Sequence, residues 1–557
     1  MIRRVAGEII TRLLKARGIA EADFAAFLHP SLQNLEKPEN LPGVVEAADV
    51  ILSAVAAGRE IVVFGDYDCD GVCATAIMVK TLSALEAKVT AFIPERFAEG
   101  YGMSDASVAR LCREHPETGL VVTVDNGINS IEQIAHLKSL GIEVVVTDHH
   151  LPTCETSVDG ESSGKMVLPD CAALVCPKVA SPENLSTLCG AGVAFLLAQR
   201  IITEAKRRGM YSGPNIGGPL LVLAGMATVT DIMPLLGTNR ILVAESLKRF
   251  RDWAPVGLKE LYTRAARIGS ERLTSRDFGF LLGPRINAAG RMASSMEALE
   301  LVLSEDREIS RELARIVDVH NAERRAVEQK MSDDAMAAVV EGASAQVINL
   351  PDGHTGVSGI VAARLLNRLG SVPVFVIAGG HGSARAPEGF NVRDALDACS
   401  SVLVRYGGHA AAGGFTVKEG MVDEFRRMVC DYCSRVFADK GQVDTANGGP
   451  DVWISTSDVT LALADEIALL EPFGEANEEP VFGIKDVMFS DVRPLGSDGR
   501  HLMLSLQGSR LKGIFWNRGD LVEKLRLSSS APHDIHFCLN VSDYGERHVE
   551  LRVVSID

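Results

Sequence analysis

The amino-acid sequence predicts an α/β protein of several domains: a parallel-sheet domain, a second α/β lobe joined to it by a long helix, and a C-terminal β-barrel. Three patterns predict it. Short apolar runs that are rich in β-branched residues and do not alternate, such as Ile61–Phe64 and Leu120–Val124, recur between helical segments, as parallel strands buried on both faces do. Residues 304–342 are helix-forming, with neither Gly nor Pro from Ser304 to Glu341. Roughly the last hundred residues instead carry alternating strands separated by turn residues. At 557 residues the chain is also too long for one core.

Hydrophobic content of 46% and charged content of 23% are those of an ordinary soluble globular protein. No apolar stretch reaches the roughly 18 residues of a membrane span. The opening Met1-Ile-Arg-Arg-Val-Ala-Gly-Glu8 lacks the apolar region of a signal peptide, so a cytoplasmic location and no membrane partner are expected. Eleven scattered cysteines argue for reduced thiols. Cys430 and Cys433, the one C-x-x-C pair, sit in a helical pattern and read as packing thiols. The formal net charge of −17 disfavours phosphate backbones, so any nucleic-acid path must be a local strip of Arg and Lys.

Residues 1–44 carry a helical pattern (Ile9, Leu13, Leu14), then Phe24, Phe27 and Leu28, then Pro30, Pro38 and Pro42. From Val44 to about Leu247, helical patterns at Ala47–Ala57, Ala74–Leu85, Ser104–Arg113, Ile131–Leu140 and Ala191–Lys206 alternate with apolar runs. Such alternation implies parallel strands with right-handed crossovers and helices on both faces. The first run continues into Asp66-Tyr-Asp68-Cys-Asp70-Gly71. In extended backbone, side chains at every second position share one side, so the three carboxylates are expected to crowd together where a strand ends. Such crowding needs a cation unless the segment is a solvated acidic turn. Three further runs weigh against the turn: Leu120–Val124 ends in Asp125, Glu143–Thr147 in Asp148-His149-His150, and Leu220–Thr230, expected as a fourth strand, in Asp231. Open α/β sheets bind ligands at the carboxyl ends of their strands. Thr153–Lys165, rich in Ser, Thr, Glu and Asp, reads as a surface loop.

Leu281–Met292 places glycines beside Arg285 and Arg291, with Asn287 between them; it suits an anion, or is an ordinary loop with solvated arginines. In the second lobe, strand Gln346–Leu350 leads into a Gly-rich turn, Asp352–Gly359, that opens a helix. The turn lacks a P-loop's Gly-Lys-Ser/Thr, yet a helix start of this kind can cradle a phosphate. Gly382-Ser383-Ala-Arg385 and Gly407-Gly408-His409 follow; the second is also compatible with a tight turn capped by His409. Gly441–Pro450 is a linker by composition. Beyond it, His501–Leu506 with Leu511–Trp516, and Asp534–Val541 with His548–Val554 across Asp543–Glu546, read as hairpins.

Asp-Tyr-Asp68-Cys-Asp70-Gly, Val-Asp125-Asn-Gly, Asp148-His149-His150 and Asp231 resemble the four motifs of the DHH phosphoesterase superfamily. From about residue 45 onward the wider pattern resembles its single-strand-specific exonuclease branch. The resemblance implies an N-terminal extension (1–44), a DHH catalytic domain (45–303), a connecting helix (304–342), a DHH-associated domain (343–440) and an OB-fold domain (450–557). It implies 5′-to-3′ degradation of single-stranded DNA to mononucleotides, in DNA repair and recombination, with a single-strand-binding protein and a repair helicase as partners. Oxygen-rich ligands with an imidazole suit two divalent cations, Mn²⁺ or Mg²⁺, better than zinc. The expected ligands are Asp68 for one cation, Asp70, His149 and Asp231 for the other, and Asp125 bridging. Asp66 is expected to orient from behind, Asp148 to brace the His pair, and His150 and Arg285 to hold the scissile phosphate. Asn287, Arg291, Ser383, Arg385, Gly407, Gly408 and His409 are expected on the nucleic acid, with Trp516, Arg518 and Lys512 gripping the strand from the OB fold. Many superfamily members have His where Phe64 stands, so one cation is expected to keep more water. The segment Leu470–Pro480 departs from the branch only at Ala476 and Glu478. The rival functions are a DHH phosphodiesterase of short oligonucleotides, cyclic dinucleotides or pyrophosphate, and an inactive binding protein; the barrel counts against the first, the retained Asp and His residues against the second.

Overall fold

In the computed structural model, strands β1 (Glu60–Phe64), β2 (Val89–Phe92), β3 (Thr118–Val124), β4 (Glu143–Thr147) and β7 (Ala173–Val175) form a parallel sheet in the order β2-β1-β3-β4-β7. The structure describes the chain apart from residues 1–6, 96–98, 101, 157–161, 267–272, 371, 441–448 and 543–546. The start of the chain, most of the expected linker and the turn Asp543–Glu546 therefore lie outside the described residues. The chain divides into two units, Met1–Gly283 with Val302–Arg307 and Gly448–Asp557, and Pro284–Leu301 with Glu308–Asn447.

The sheet of the first unit has no polar face because helices cover both sides. Val62, Phe64, Val121, Val144 and Val146 pack on Leu111, Ile134 and Leu137 of the helices Asp105–Glu114 and Ile131–Ser139. The alternate residues Ile61, Val63, Leu120, Val122 and Val145 are buried on the other face. Register matters most for function. Phe64 lies beside Thr123, and Val124 beside Thr147. Carried past the strand ends, the same register sets Asp66, Asp125 and Asp148 in one row at the carboxyl edge.

The structure corrects three expectations. Asp66, Asp68 and Asp70 do not share an extended face, because the strand stops at Phe64 and Asp68 caps the helix Cys69–Ala84, its carboxylate accepting from Gly71 N at 3.0 Å. Leu220–Asp231 is not a strand but the helix Gly217–Thr230, with Asp231 just beyond its last turn. Its residues Leu220–Thr228 are buried between neighbouring helices, and an all-apolar helix has no periodicity to separate it from a buried strand. Thr153–Lys165 holds a short hairpin, β5 (Cys154–Thr156) with β6 (Ser162–Met166), rather than a loop.

The C-terminal part of this unit is a sheet of β13 (Val452–Trp453), β14 (Phe482–Val487), β15 (Phe489–Leu495), β16 (His501–Leu506), β17 (Lys512–Phe515), β18 (His533–Ser542) and β19 (His548–Ile556), ordered β13-β14-β18-β19-β17-β16-β15. Both expected hairpins are present. The N-terminal segment joins this sheet's core: Ile10, Leu13 and Leu14 of the helix Glu8–Ala16, with Phe27 and Leu28, pack with Leu470, Phe482, Leu502 and Phe537.

The second unit is built on a mixed sheet, β11-β12-β10-β9-β8, from β8 (Gln346–Leu350), β9 (Val374–Ala378), β10 (His381–Arg385), β11 (Leu403–Gly408) and β12 (Ala412–Val417). The long helix runs Arg307–Ala337, shorter than 304–342, and packs Met331 and Ala335 with Ile348, Val374 and Val376. Leu281–Met292, read as a glycine-bearing loop, is a π-turn (Phe278–Leu282) running into the helix Gly283–Met292. Gly283 serves close packing, since a Cβ there would lie 2.1 Å from Thr230 Cγ2.

Candidate metal centre

Asp70, beside the sheet's carboxyl edge, is anchored by a neighbouring helix. It lies in the first turn of the helix Cys69–Ala84 and accepts from Gly190 N at 2.6 Å and Ala191 N at 2.7 Å, the first amides of the helix Gly190–Arg207. Amides at a helix start have no partner inside the helix and favour an anion. Any non-proline residue could donate that amide, but the space requires glycine at Gly190: a Cβ there would sit 2.5 Å from Asp125 Cβ. Asp125 itself adopts φ = +63°, a region that Asp and Asn enter more readily than most residues.

These side chains converge on one imidazole. His149 Nε2 lies 3.1 Å from Asp125 Oδ1, 3.6 Å from Asp231 Oδ2 and 3.7 Å from Asp70 Oδ2. Among the described residues, two groups of three bring potential ligand atoms within 4.8 Å of one another, Asp70–His149–Asp231 and Asp125–His149–His150. His149 belongs to both groups, and Asp125 Oδ1 is the carboxylate oxygen nearest its Nε2. Behind them, Asp148 accepts from Ile128 N, His149 N and the ring Nδ1 of His150, the last at 2.7 Å, leaving Nε2 of His150 available. Asp66 accepts from Tyr67 N at 2.7 Å. Phe64 is fully buried and stacked on Phe92 with ring centroids 5.1 Å apart, so it offers the centre no ligand.

The electrostatics fit cations. Asp66, Asp70 and Asp125 are each no more than 2% exposed. Burial pushes Asp66 up to about 7 and Asp231 up to about 8, with Asp68 and Asp70 respectively adding repulsion. Burial also raises Asp70, and raises Asp125 well above the carboxylate range. Burial lowers His149. At His150 burial is outweighed by the hydrogen bond and charge of Asp148, which hold it up at about 9, and His150 with the amides draws Asp148 below its usual range despite burial. Asp125 Oδ1 and Asp231 Oδ2 are buried and make no hydrogen bond. Buried carboxylate oxygens without donors cost free energy that a cation recovers. Oxygen-rich donors with imidazole match Mn²⁺ or Mg²⁺.

The second unit gathers other expected residues. Ser383 Oγ is 2.9 Å from Ser358 Oγ at the start of the helix Ser358–Leu369. A Cβ on Gly359 would lie 3.2 Å from Arg385 Nη2 and 3.5 Å from Ser383 Oγ, so Ser358, Gly359, Ser383 and Arg385 form one small cradle. Burial lowers the Arg385 guanidinium, which donates to Ala384 O at 2.8 Å. In the helix that also carries Asn287, Arg285 donates to Asp318 at 2.9 Å and Arg291 to Gly356 O at 3.0 Å. Gly407 and Gly408 end β11, where a Cβ on Gly408 would meet Ala412 O at 2.4 Å; His409 follows, exposed. In the C-terminal sheet, Trp516 is half exposed with His501 edge-on at 4.7 Å, Lys512 is exposed, and Arg518 is paired with Asp520 at 3.1 Å. Sequence reasoning missed Gly190, Ala191, Ser358 and Asp318. The Cys-Gly-Ala-Gly run opening the helix at Gly190 was the available signal for the first two.

Family models match this layout: the DHH family, N-terminal domain, over residues 60–221, the DHHA1 domain over 342–435 and the RecJ OB domain over 450–555. Fold and centre together thus define a DHH-family protein. Within that class, the chain is 33% identical to the single-stranded-DNA-specific exonuclease RecJ of Dickeya dadantii, covering 98% of this chain and 95% of that protein. It is 32% identical to the RecJ of Bacillus subtilis over 92% of this chain, of whose length it spans 64%. The structure of RecJ in complex with Mn²⁺ from Thermus thermophilus superposes with a TM-score of 0.80 at 31% identity, over 98% of this chain and 75% of that one. The chain belongs to the RecJ family.

Proposed function

We propose that this protein is a metal-dependent exonuclease that degrades single-stranded DNA from its 5′ end to mononucleotides. The observation that carries the reading is the acid cluster at the aligned strand ends, with two buried carboxylate oxygens lacking donors, in a chain similar to proteins named as single-stranded-DNA-specific exonucleases.

Asp68, Asp70, Asp125, His149 and Asp231 would hold two divalent cations, Mn²⁺ or Mg²⁺, with Asp125 bridging. When bound, the pair activates water and stabilises the leaving oxygen of a phosphodiester. The chain's own residues do the rest. The amides of Gly190 and Ala191 hold Asp70 still. Asp148 fixes His150 through Nδ1 and keeps it protonated, so its Nε2–H can donate to a phosphate oxygen. Asp66 keeps a proton or a negative charge close behind the ligands according to pH. In the second unit, Arg285, Asn287, Arg291, Ser383, Arg385, Gly407, Gly408 and His409 would contact phosphates; in the C-terminal sheet of the first unit, Lys512, Trp516 and Arg518 would grip the strand by stacking and charge. A single-strand-binding protein and a repair helicase are the partners this role implies, in the cytoplasm. No helix among the described residues is long and apolar enough to cross a membrane.

The test is release of labelled mononucleotide from a 5′-labelled single strand with Mn²⁺, beside the same label in a duplex and beside a cyclic dinucleotide. Preference for the single strand supports the reading. Faster turnover of the cyclic dinucleotide would replace it with a small-substrate phosphodiesterase.

A further inference from the structure

Asp70, in the first turn of one helix, and Asp231, just past the end of another, both reach His149, and one buried side chain ties the supports of both together. Asn239 stands near the start of the helix Gly237–Trp253 and is 1% exposed. Its Nδ2 donates to Thr187 O at 2.8 Å and to Pro234 O at 3.1 Å. Thr187 lies three residues before Gly190, whose amide, with that of Ala191, holds Asp70. Pro234 lies three residues after Asp231.

Asp231 needs such a restraint. It follows the last residue of the helix Gly217–Thr230, where the carbonyl end of the helix disfavours a carboxylate. The next residue, Ile232, has φ = +55°, a costly region for a β-branched side chain. That turn is held by the chain beyond it: Met233 N donates back to Thr228 O at 3.1 Å, Pro234 O is taken by Asn239, and Leu235 N donates to Glu475 O at 2.8 Å. Asn239 is itself fixed through its neighbour. The Arg240 guanidinium lies over the Phe27 ring at 3.9 Å and donates to Phe27 O at 2.8 Å and Glu471 O at 2.9 Å.

We infer that Asn239 is a positioning residue of the cation site: its amide sets the separation of Asp70 and Asp231, and with it the cation affinity of the Asp70–His149–Asp231 group. The inference rests on the reading of that group as ligands. A carboxamide suits the task because one nitrogen carries two hydrogens for two carbonyls. Asp at this position has no donor when ionised, and Ser has one hydrogen for two acceptors.

The experiment is a Mn²⁺ titration of the full chain followed by the electron paramagnetic resonance of free Mn²⁺, with thermal unfolding in chelator alongside. Wild type, Asn239→Asp, Asn239→Ser and Asp70→Asn are compared. Asn239→Asp should weaken one Mn²⁺ site by about 10–100-fold, as loss of a support behind a ligand does, and Asn239→Ser by less. Saturating Mn²⁺ should restore much of the turnover, with KM for a single strand unchanged. Wild-type Mn²⁺ affinity in either folded Asn239 variant overturns the inference, and should Asn239→Asp not fold, the Ser variant decides. A wild type that binds no Mn²⁺, or an Asp70→Asn variant that binds it equally well, overturns the ligand reading instead.

Discussion

Asp125 concentrates what the centre asks of a single residue: left-handed backbone, a buried carboxyl, and an oxygen with no donor. Asn tolerates the same backbone and lacks the charge, so Asp125→Asn should separate stability from function. Hydrolysis should fall more than the 10–100-fold typical of changes behind a ligand. Stability in chelator should rise, because a carboxyl whose ionisation is opposed by burial and by Asp70 is gone. Equal turnover, or a lower melting temperature in chelator, would contradict this. Titration gives a second expectation. Asp66 and Asp231, raised to about 7 and about 8, bind protons more tightly folded than unfolded, so stability without metal falls as pH rises through those values. His150 acts in the same direction: its pairing with Asp148 stabilises fully below its unfolded value and is lost as pH rises through about 9. From pH 6 to 9 the melting temperature in chelator should therefore fall, while Mn²⁺ affinity rises as the acids lose their protons. A rising melting temperature in chelator over that range would refute the electrostatic account. The acids and histidines of the centre were legible one by one in the sequence, because each follows an apolar run; their donors were not, since Asp70 is held by amides 120 residues away.

At the scale of elements, what the sequence showed depended on whether a pattern had a period. The strands Glu60–Phe64, Thr118–Val124 and Glu143–Thr147 were readable because short β-branched runs bounded by turns fit few structures besides buried strands. Leu220–Thr228 was not, because a helix buried all round shows no polar stripe, and its length and its Ala, Gly and Met content were the only guides. Glycine misled at Leu281–Met292, where Gly283 allows a close approach to Thr230 rather than breaking the helix. Gly190 gives a test in which propensity and geometry disagree. By helix propensity, Gly190→Ala should stabilise its helix by up to ~1 kcal/mol. The added Cβ would instead meet Asp125 Cβ at 2.5 Å and Oδ1 at 2.7 Å. The substitution should therefore cut Mn²⁺ affinity and turnover at least about 10-fold, as displaced supports do, with the rest of the fold intact. Wild-type Mn²⁺ binding by Gly190→Ala would show that the helix start is looser than its contacts imply.

For the whole molecule, the joining of chain ends governs how the C-terminal sheet can be studied. Ile10, Leu13 and Leu14 share its core, and Arg240 donates to Phe27 O on one side and Glu471 O on the other. No local pattern in residues 1–44 announces a partner more than 400 residues away, so the composition of 441–450 suggested a freer sheet than the packing allows. Deleting it would bare three large side chains, each worth about 1.5–3 kcal/mol when buried, and confound binding with folding. A point substitution avoids that. Trp516 is 49% exposed and touches His501 edge-on, so removing it leaves the core untouched. On the proposed function, a net charge of −17 gives no overall attraction to DNA, so stacking is expected to carry a larger part of strand affinity. Trp516→Ala should therefore weaken binding of long single strands by about 1–3 kcal/mol, the range for one stacked base, and leave the slope of affinity against salt unchanged, because no phosphate contact is lost. Turnover of a dinucleotide, too short to span both sites, should match wild type. Fluorescence anisotropy across a salt series, paired with dinucleotide turnover, reads all three. Undiminished affinity in the folded variant would move the strand off this face of the sheet, and a parallel loss of dinucleotide turnover would mean that Trp516 acts on the centre instead.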